Sequence, residues 1–293
     1  MTTTLTVLVL LIAIALFVVG GSIFTLSGKK VSAGQSVAQK LISAVGVVLI
    51  AGVACQLWTP VYLTSVNPAI LEEMIPAMQK QKEEQQSKQV RKYVKEHIDE
   101  MIVTAPVSGN VEAQKTIFLW SDYSCPYCRR VHAEIARVLA ERDDVRLVLK
   151  NYSIHGALSD APAKAVIAAK IQDNAKAAKL DELLMAKEYY GPEDIKLMRS
   201  PEQKDQEKLA KNIEASVLKL AKEAGLDTKK LAEDMKGDIV RQEMRNTYEL
   251  ARRFEISGTP YLIITDGKKV GVHPGFIPYA KITEDLGPAP EAK

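Results

Sequence analysis

The chain has 293 residues and an ordinary apolar share, enough for a sizeable core and, by length, about two domains. Its net charge of +3 is small and no long block of one sign occurs, which argues against nucleic acid as a partner. Three cysteines are too few for a disulfide-stapled scaffold, and a single Cys-x-x-Cys is too few for an all-cysteine zinc site, so the thiols point to chemistry.

Residues 1–66 read as a transmembrane helical hairpin. No charged side chain occurs from Met1 to Gly28, and Leu5–Phe24 is long enough to cross a bilayer as a helix. A second apolar run covers 41–58, with Trp58 and Tyr62 at interface height and Pro60 to end it. Lys29, Lys30 and Lys40 in the linker predict a cytoplasmic loop, with both chain termini outside. The rival reading, a cleaved signal peptide, fits less well because no basic residue precedes the apolar core. Cys55, inside the second run, reads as a small packing residue.

Residues 67–104 predict a helical spacer or stem, rich in Lys, Glu and Gln. Leu71, Met74 and Met78 form one helical stripe, which Pro76 can interrupt. Ser87, Val90, Val94, His97 and Met101 form another. Two readings stay open: a coiled-coil stem over 71–101 that makes a homo-oligomer, or a solvated spacer.

A soluble α/β domain is expected over 105–287. Thr104–Gln114 reads as a loop. Thr116–Ser121 is a short buried strand, Arg129–Arg142 an amphipathic helix and Val145–Tyr152 a second strand, a βαβ unit with a parallel pair. A mostly helical insertion fills about 157–255, with Asp227 and Asp238 as candidate caps. Tyr261–Thr265 and Lys268–Val272 flank the turn signal Asp266-Gly267 as a hairpin. Pro278–Leu286 is a final helix, and 288–293 a loose tail.

The chemistry centres on Cys125 and Cys128, placed where a strand gives way to a helix. Cys125 would lie at the helix start, where unpaired amides and the helix dipole favour a thiolate. Cys128 is about one turn on, within reach of it. Pro126 suits the first helical position, having no N–H to lose, and Tyr127 completes the pair's interior. A disulfide with such a leaving group is a good oxidant. Zinc binding and an inert structural disulfide are the alternatives; His132 could add one ligand, and no fourth is evident. Ser257-Gly-Thr-Pro260 directly precedes a strand. Thr259–Pro260 suits a tight turn there, of either isomer.

These pieces, Ile117-Phe-Leu-Trp-Ser-Asp-Tyr-Ser-Cys-Pro-Tyr-Cys128, the helical insertion and Gly258-Thr-Pro260, resemble the DsbA-like branch of the thioredoxin superfamily. The resemblance covers about Ala105 to Leu286. It implies a thioredoxin-like fold: a central mixed sheet, flanking helices and an inserted helical subdomain. It implies Cys125 as exposed nucleophile, Cys128 as buried resolving partner, and a cis Pro260, with Thr259 before it, binding extended substrate. It further implies thiol-containing protein substrates in the periplasm of a bacterium and reoxidation by a separate quinone-linked membrane oxidase; the transmembrane hairpin lies outside the resemblance and would anchor the domain in the inner membrane. No cofactor beyond the Cys125–Cys128 disulfide and no metal are expected.

The sequence departs from the family at Ser153, where a proline is expected. His155 lies at the active-site edge of the sheet, either tuning the cysteines or simply solvated. His132, His97 and His273 read as surface residues. The favoured function is a dithiol oxidase that introduces disulfides into extracytoplasmic proteins. The alternatives are an isomerase or reductase kept reduced by another partner, and a non-catalytic assembly or chaperone module.

Overall fold

The computed structural model describes residues 68–289. The expected transmembrane hairpin, with Cys55, and the last residues of the tail lie outside them. No described helix is long and apolar enough to cross a membrane. The chain divides into two compact units, Met1–Lys82 and Glu83–Lys293, and among the described residues every strand belongs to the second.

That unit is built on a five-stranded sheet, ordered β1-β3-β2-β4-β5. The strands are β1 (Val107–Gly109), β2 (Lys115–Ser121), β3 (Val145–Asn151), β4 (Tyr261–Thr265) and β5 (Val270–Pro274). β2 and β3 run parallel, with Ser121 opposite Asn151. The other three pairings are antiparallel, so the sheet is mixed. The crossover from β2 to β3 is helix α2 (Pro126–Glu141), named after the long first helix α1 (Pro68–Ile102).

Six helices separate β3 from β4: α3 (Ala157–Gln172), α4 (Asn174–Ala186), α5 (Pro192–Arg199), α6 (Gln203–Glu223), α7 (Thr228–Asp234) and α8 (Asp238–Arg253). They form the inserted subdomain. Helix α9 (Tyr279–Leu286) follows the last strand.

The period-2 geometry of strands sorts the core into two. Ile117, Leu119, Leu147, Leu149, Leu262 and Ile264 face one side, against α2 and the inserted helices. Phe118, Trp120, Val148 and Ile263 face the other, against α8 and the end of α1. Both faces are covered, which is why β2 reads as a continuous apolar run.

Several local expectations need correction. The stretch read as a loop before β2 contains β1, whose three residues are too few to carry a periodic signal. It forms because Gly109 takes φ +80° and passes the β3 backbone closely; a Cβ there would meet Val145 O at 2.7 Å. The hairpin return starts at Val270, later than expected, because Asp266 Oδ1 accepts from the Lys268 and Lys269 amides at 2.8 and 2.6 Å and keeps both in the turn. Asp227 caps α7, accepting from the Lys229 and Lys230 amides, whereas Gly237 rather than Asp238 caps α8.

The end of α1 is more than a spacer. Val90, Val94 and Met101 are buried in the second core with Phe118 and Trp120, so that stripe is used inside the molecule. The helix changes direction at His97, whose ring stacks on Tyr93 at 4.2 Å. The earlier stripe differs: Met74, Ile75 and Met78 are exposed. A buried ion pair, Lys150 to Glu243 at 2.8 Å, ties β3 to α8 on this side of the sheet.

The two stripes of α1 predict different mutational costs. Met101→Ala should destabilise the full chain by about 2–5 kcal/mol in denaturant titration, as for other buried methionines. Met78→Ala should leave the transition within about 0.5 kcal/mol of wild type. Equal effects would contradict the assignment of the helix end to the core.

Candidate active site

The site forms where β2 ends and α2 begins. Cys125 is the N-cap of α2, in extended conformation, and Pro126 occupies the first helical position. The Cys125 carbonyl accepts from the amides of Cys128 and Arg129 at 3.1 and 3.2 Å, which closes the first turn around the pair. Cys125 keeps 6% of its surface and Cys128 none. Both are free thiols.

The segment before β4 comes up beside them. Thr259–Pro260 is cis, and the Thr259 main-chain oxygen lies 3.5 Å from Cys125 Sγ. The two sequence elements singled out at opposite ends of the domain therefore meet. β2 and β4 are neighbours in the sheet, with Trp120 opposite Tyr261, and this pairing carries the proline segment to the cysteines.

The two thiols are strongly unlike. Cys125 is lowered from 9.0 to about 5. The largest cause is a hydrogen bond from the Cys128 thiol; burial opposes it, and the Cys128 and Tyr127 amides add to the lowering. The expectation from the sequence rested on helix amides alone, and the neighbouring thiol proves the larger influence. The Thr259 side chain lowers Cys125 too, by more than either amide. Cys128 is raised, because its proton is held by Cys125 and because it is buried.

Tyr127 is well exposed, and Arg130 lies over its ring at 5.8 Å and over Phe276 at 4.6 Å. His155 does not reach the sulfurs. Its Nδ1 lies 3.0 Å from Oδ2 of Asp122, a buried carboxylate three residues before Cys125. Burial pushes the Asp122 carboxyl up, but hydrogen bonds from Ser159, Ile154 and Ser124 outweigh it and hold it below its ordinary value.

His132, read from sequence as a surface residue, is buried. Its Nε2 meets Ser121 Oγ at 3.3 Å and its Nδ1 faces Asp181 at 3.6 Å, while Tyr123 donates to Asp181 at 2.8 Å. Burial lowers the imidazole and raises the carboxyl. Both nitrogens are thus turned away from a zinc site with the cysteines. Among the described residues no group of three or more His, Cys, Asp or Glu could hold a metal. His97 lies at the α1 kink and His273 contacts Asp285 on α9.

Sequence reasoning missed Asp122, Ser159 and Asp181. Asp122 lies inside the cysteine motif and could have been singled out by its spacing. The other two come from the inserted helices, and their approach to the site is a tertiary event.

The asymmetry of the pair predicts a pH profile. A thiol alkylates as its anion, so iodoacetamide labelling of Cys125 in reduced protein should rise through pH about 5 and level off well below 9, with Cys128 unlabelled. Labelling that rises only near pH 8.5, the ordinary thiol value, would contradict the geometry.

A family model described as thioredoxin matches residues 101–276. Among curated proteins none matches the sequence. Among solved structures, a thioredoxin-like oxidoreductase from Silicibacter pomeroyi is 30% identical, with TM-score 0.51, covering 63% of this chain and 91% of its own. The thiol-disulfide exchange protein alpha-DsbA2 from Wolbachia pipientis shares the fold at 20% identity and TM-score 0.52, covering 65% and 90%. With the family model spanning more than half of the chain, the protein is a member of the thioredoxin family.

Proposed function

We propose that the protein is a thiol–disulfide oxidoreductase that works as a DsbA-like dithiol oxidase on extracytoplasmic proteins. The observation that carries this reading is the asymmetric pair: a slightly exposed Cys125 lowered to about 5 beside a sealed Cys128. A low-pKa thiol stabilises the dithiol state and so makes the disulfide oxidising. The sign follows from the depressed value. The stabilisation is full above the ordinary thiol range and is lost as pH falls through about 5.

In the oxidised protein a substrate thiolate attacks Cys125 Sγ. The Cys125–Cys128 bond breaks, its electron pair goes to Cys128, and Cys128 takes up a proton. A second substrate thiolate then attacks the substrate sulfur of the mixed disulfide, and Cys125 leaves as thiolate. The substrate gains a disulfide and the protein ends as dithiol. Thr259 and Pro260 are assigned to holding extended substrate beside Cys125, supported by the 3.5 Å approach of Thr259 to its sulfur. Pro126 shapes the turn and exposed Tyr127 is available to substrate.

Reoxidation is assigned to a separate quinone-linked membrane oxidase, since Cys125 and Cys128 make one pair and the remaining Cys55 is single. Anchoring in a bacterial inner membrane, with the domain in the periplasm, is supported by the uncharged runs near residues 5–24 and 41–58 and by the lysines between them. An isomerase or reductase on the same scaffold is the second reading. The exposed Met74, Ile75 and Met78 on α1 favour it, as a surface through which copies could associate.

Acid quenching of cells followed by alkylation separates the two. The oxidase reading expects Cys125–Cys128 mostly as disulfide at steady state, and loss of disulfides in secreted proteins on Cys125→Ser. A pair found mostly reduced would overturn the oxidase reading in favour of the second.

A further inference from the structure

Five hydrogen-bond donors and one histidine nitrogen converge on the carboxylate of Asp122, three contacts on each oxygen. Oδ1 accepts from the Ser124 amide at 2.8 Å, the Ser124 hydroxyl at 2.8 Å and the Ser159 hydroxyl at 2.6 Å. Oδ2 accepts from the Ile154 amide at 2.8 Å and the His155 amide at 3.3 Å, with His155 Nδ1 at 3.0 Å. The side chain is fully buried. One carboxylate thereby joins the cysteine loop to the segment after β3 and to the start of α3.

The main chain of the same residue touches the reacting pair. The Asp122 amide donates to Cys128 Sγ at 3.5 Å, and the Asp122 carbonyl accepts from the Cys125 amide at 3.1 Å. This amide and the Thr259 side chain both lower the Cys128 thiol, the amide being the larger influence. Cys128 is the sulfur that receives the electron pair when the disulfide opens.

We infer that Asp122 is a positioning residue for the leaving sulfur: its carboxylate, locked by these contacts, holds its own amide against Cys128, and that amide receives the charge developing there. The inference rests on the oxidoreductase reading. A substrate thiolate forms a bond to Cys125 Sγ, the Cys125–Cys128 bond breaks, and the pair moves to Cys128 Sγ under the Asp122 N–H. A proton from solvent then neutralises that sulfur. A fixed donor aimed at developing charge lowers the barrier without reorganisation. His155 enters here as one of the locks on Asp122, acting on the sulfurs through it.

Asparagine is a discriminating substitution, since it keeps size and shape but offers acceptor capacity at one end only. It would present N–H groups to the donors at the other. The two cysteines can be read separately in the purified full chain. Alkylation of the reduced protein by iodoacetamide, at a pH where Cys125 is fully thiolate, reports Cys125 alone. Reduction of the oxidised protein by dithiothreitol, followed by stopped flow, requires Cys128 to leave.

Asp122→Asn should slow reduction by about tenfold and leave alkylation within about twofold of wild type. Reduction within about twofold of wild type would overturn the inference. A parallel fall in both rates would overturn it too, because it would mean general loosening of the loop. Should Asp122→Asn not fold, Ser159→Ala removes one donor; it should slow reduction by about threefold with alkylation unchanged, and an unchanged reduction rate would again overturn the inference. Wild-type protein that exchanged no disulfides at all would sink the proposed function instead, a distinguishable result.

Discussion

The chemistry depends on one hydrogen bond, from the Cys128 thiol to the Cys125 sulfur. Two buried thiols of equal acidity would be poor participants in exchange, since burial disfavours both anions. Sharing a single proton splits them. Cys125 becomes the anion, because it receives a donor, and Cys128 keeps its proton, because losing it would put two charges side by side. Nucleophile and resolving thiol are thus one coupled system.

The fold serves to hold that pair in register. The extended Cys125 and Pro126 start α2 so that the pair straddles its first turn, and the pairing of β2 with β4 brings Thr259 beside Cys125. The inserted helices contribute from behind. Ser159 on α3 binds Asp122, and Asp181 on α4 takes the Tyr123 hydroxyl and faces His132. The insertion is therefore part of the support of the site. The opposite sheet face, sealed by Val90, Val94 and Met101 of α1, has a buried Lys150–Glu243 pair whose disruption would leave an uncompensated charge.

Much of the site was legible in the sequence. Strand, Cys-x-x-Cys and helix in succession locate Cys125 and Cys128 because the helix start does local work that few residue patterns mimic. The proline before β4 was legible as a strand boundary, since proline cannot donate within a sheet; its approach to Cys125 depends on a strand pairing that spans most of the domain. His132 was misjudged because its helical position fixes which face it occupies, while burial depends on what packs there. β1 escaped because three residues hold no period, and the stripe at the end of α1 was legible while its partner was not, since Phe118 and Trp120 meet it only in the folded core. Local signals gave the chemistry; contacts between distant segments decided its environment.

The account turns on the Cys128 proton, and thiolate absorbance near 240 nm reads it directly. Titrating reduced Cys128→Ala beside wild type isolates what that proton contributes. The account expects wild type to titrate near pH 5 and the variant to move well up toward the ordinary thiol value of about 8.5. A variant that still titrated near 5 would assign the anion to the helix amides and remove the Cys128 proton from its role.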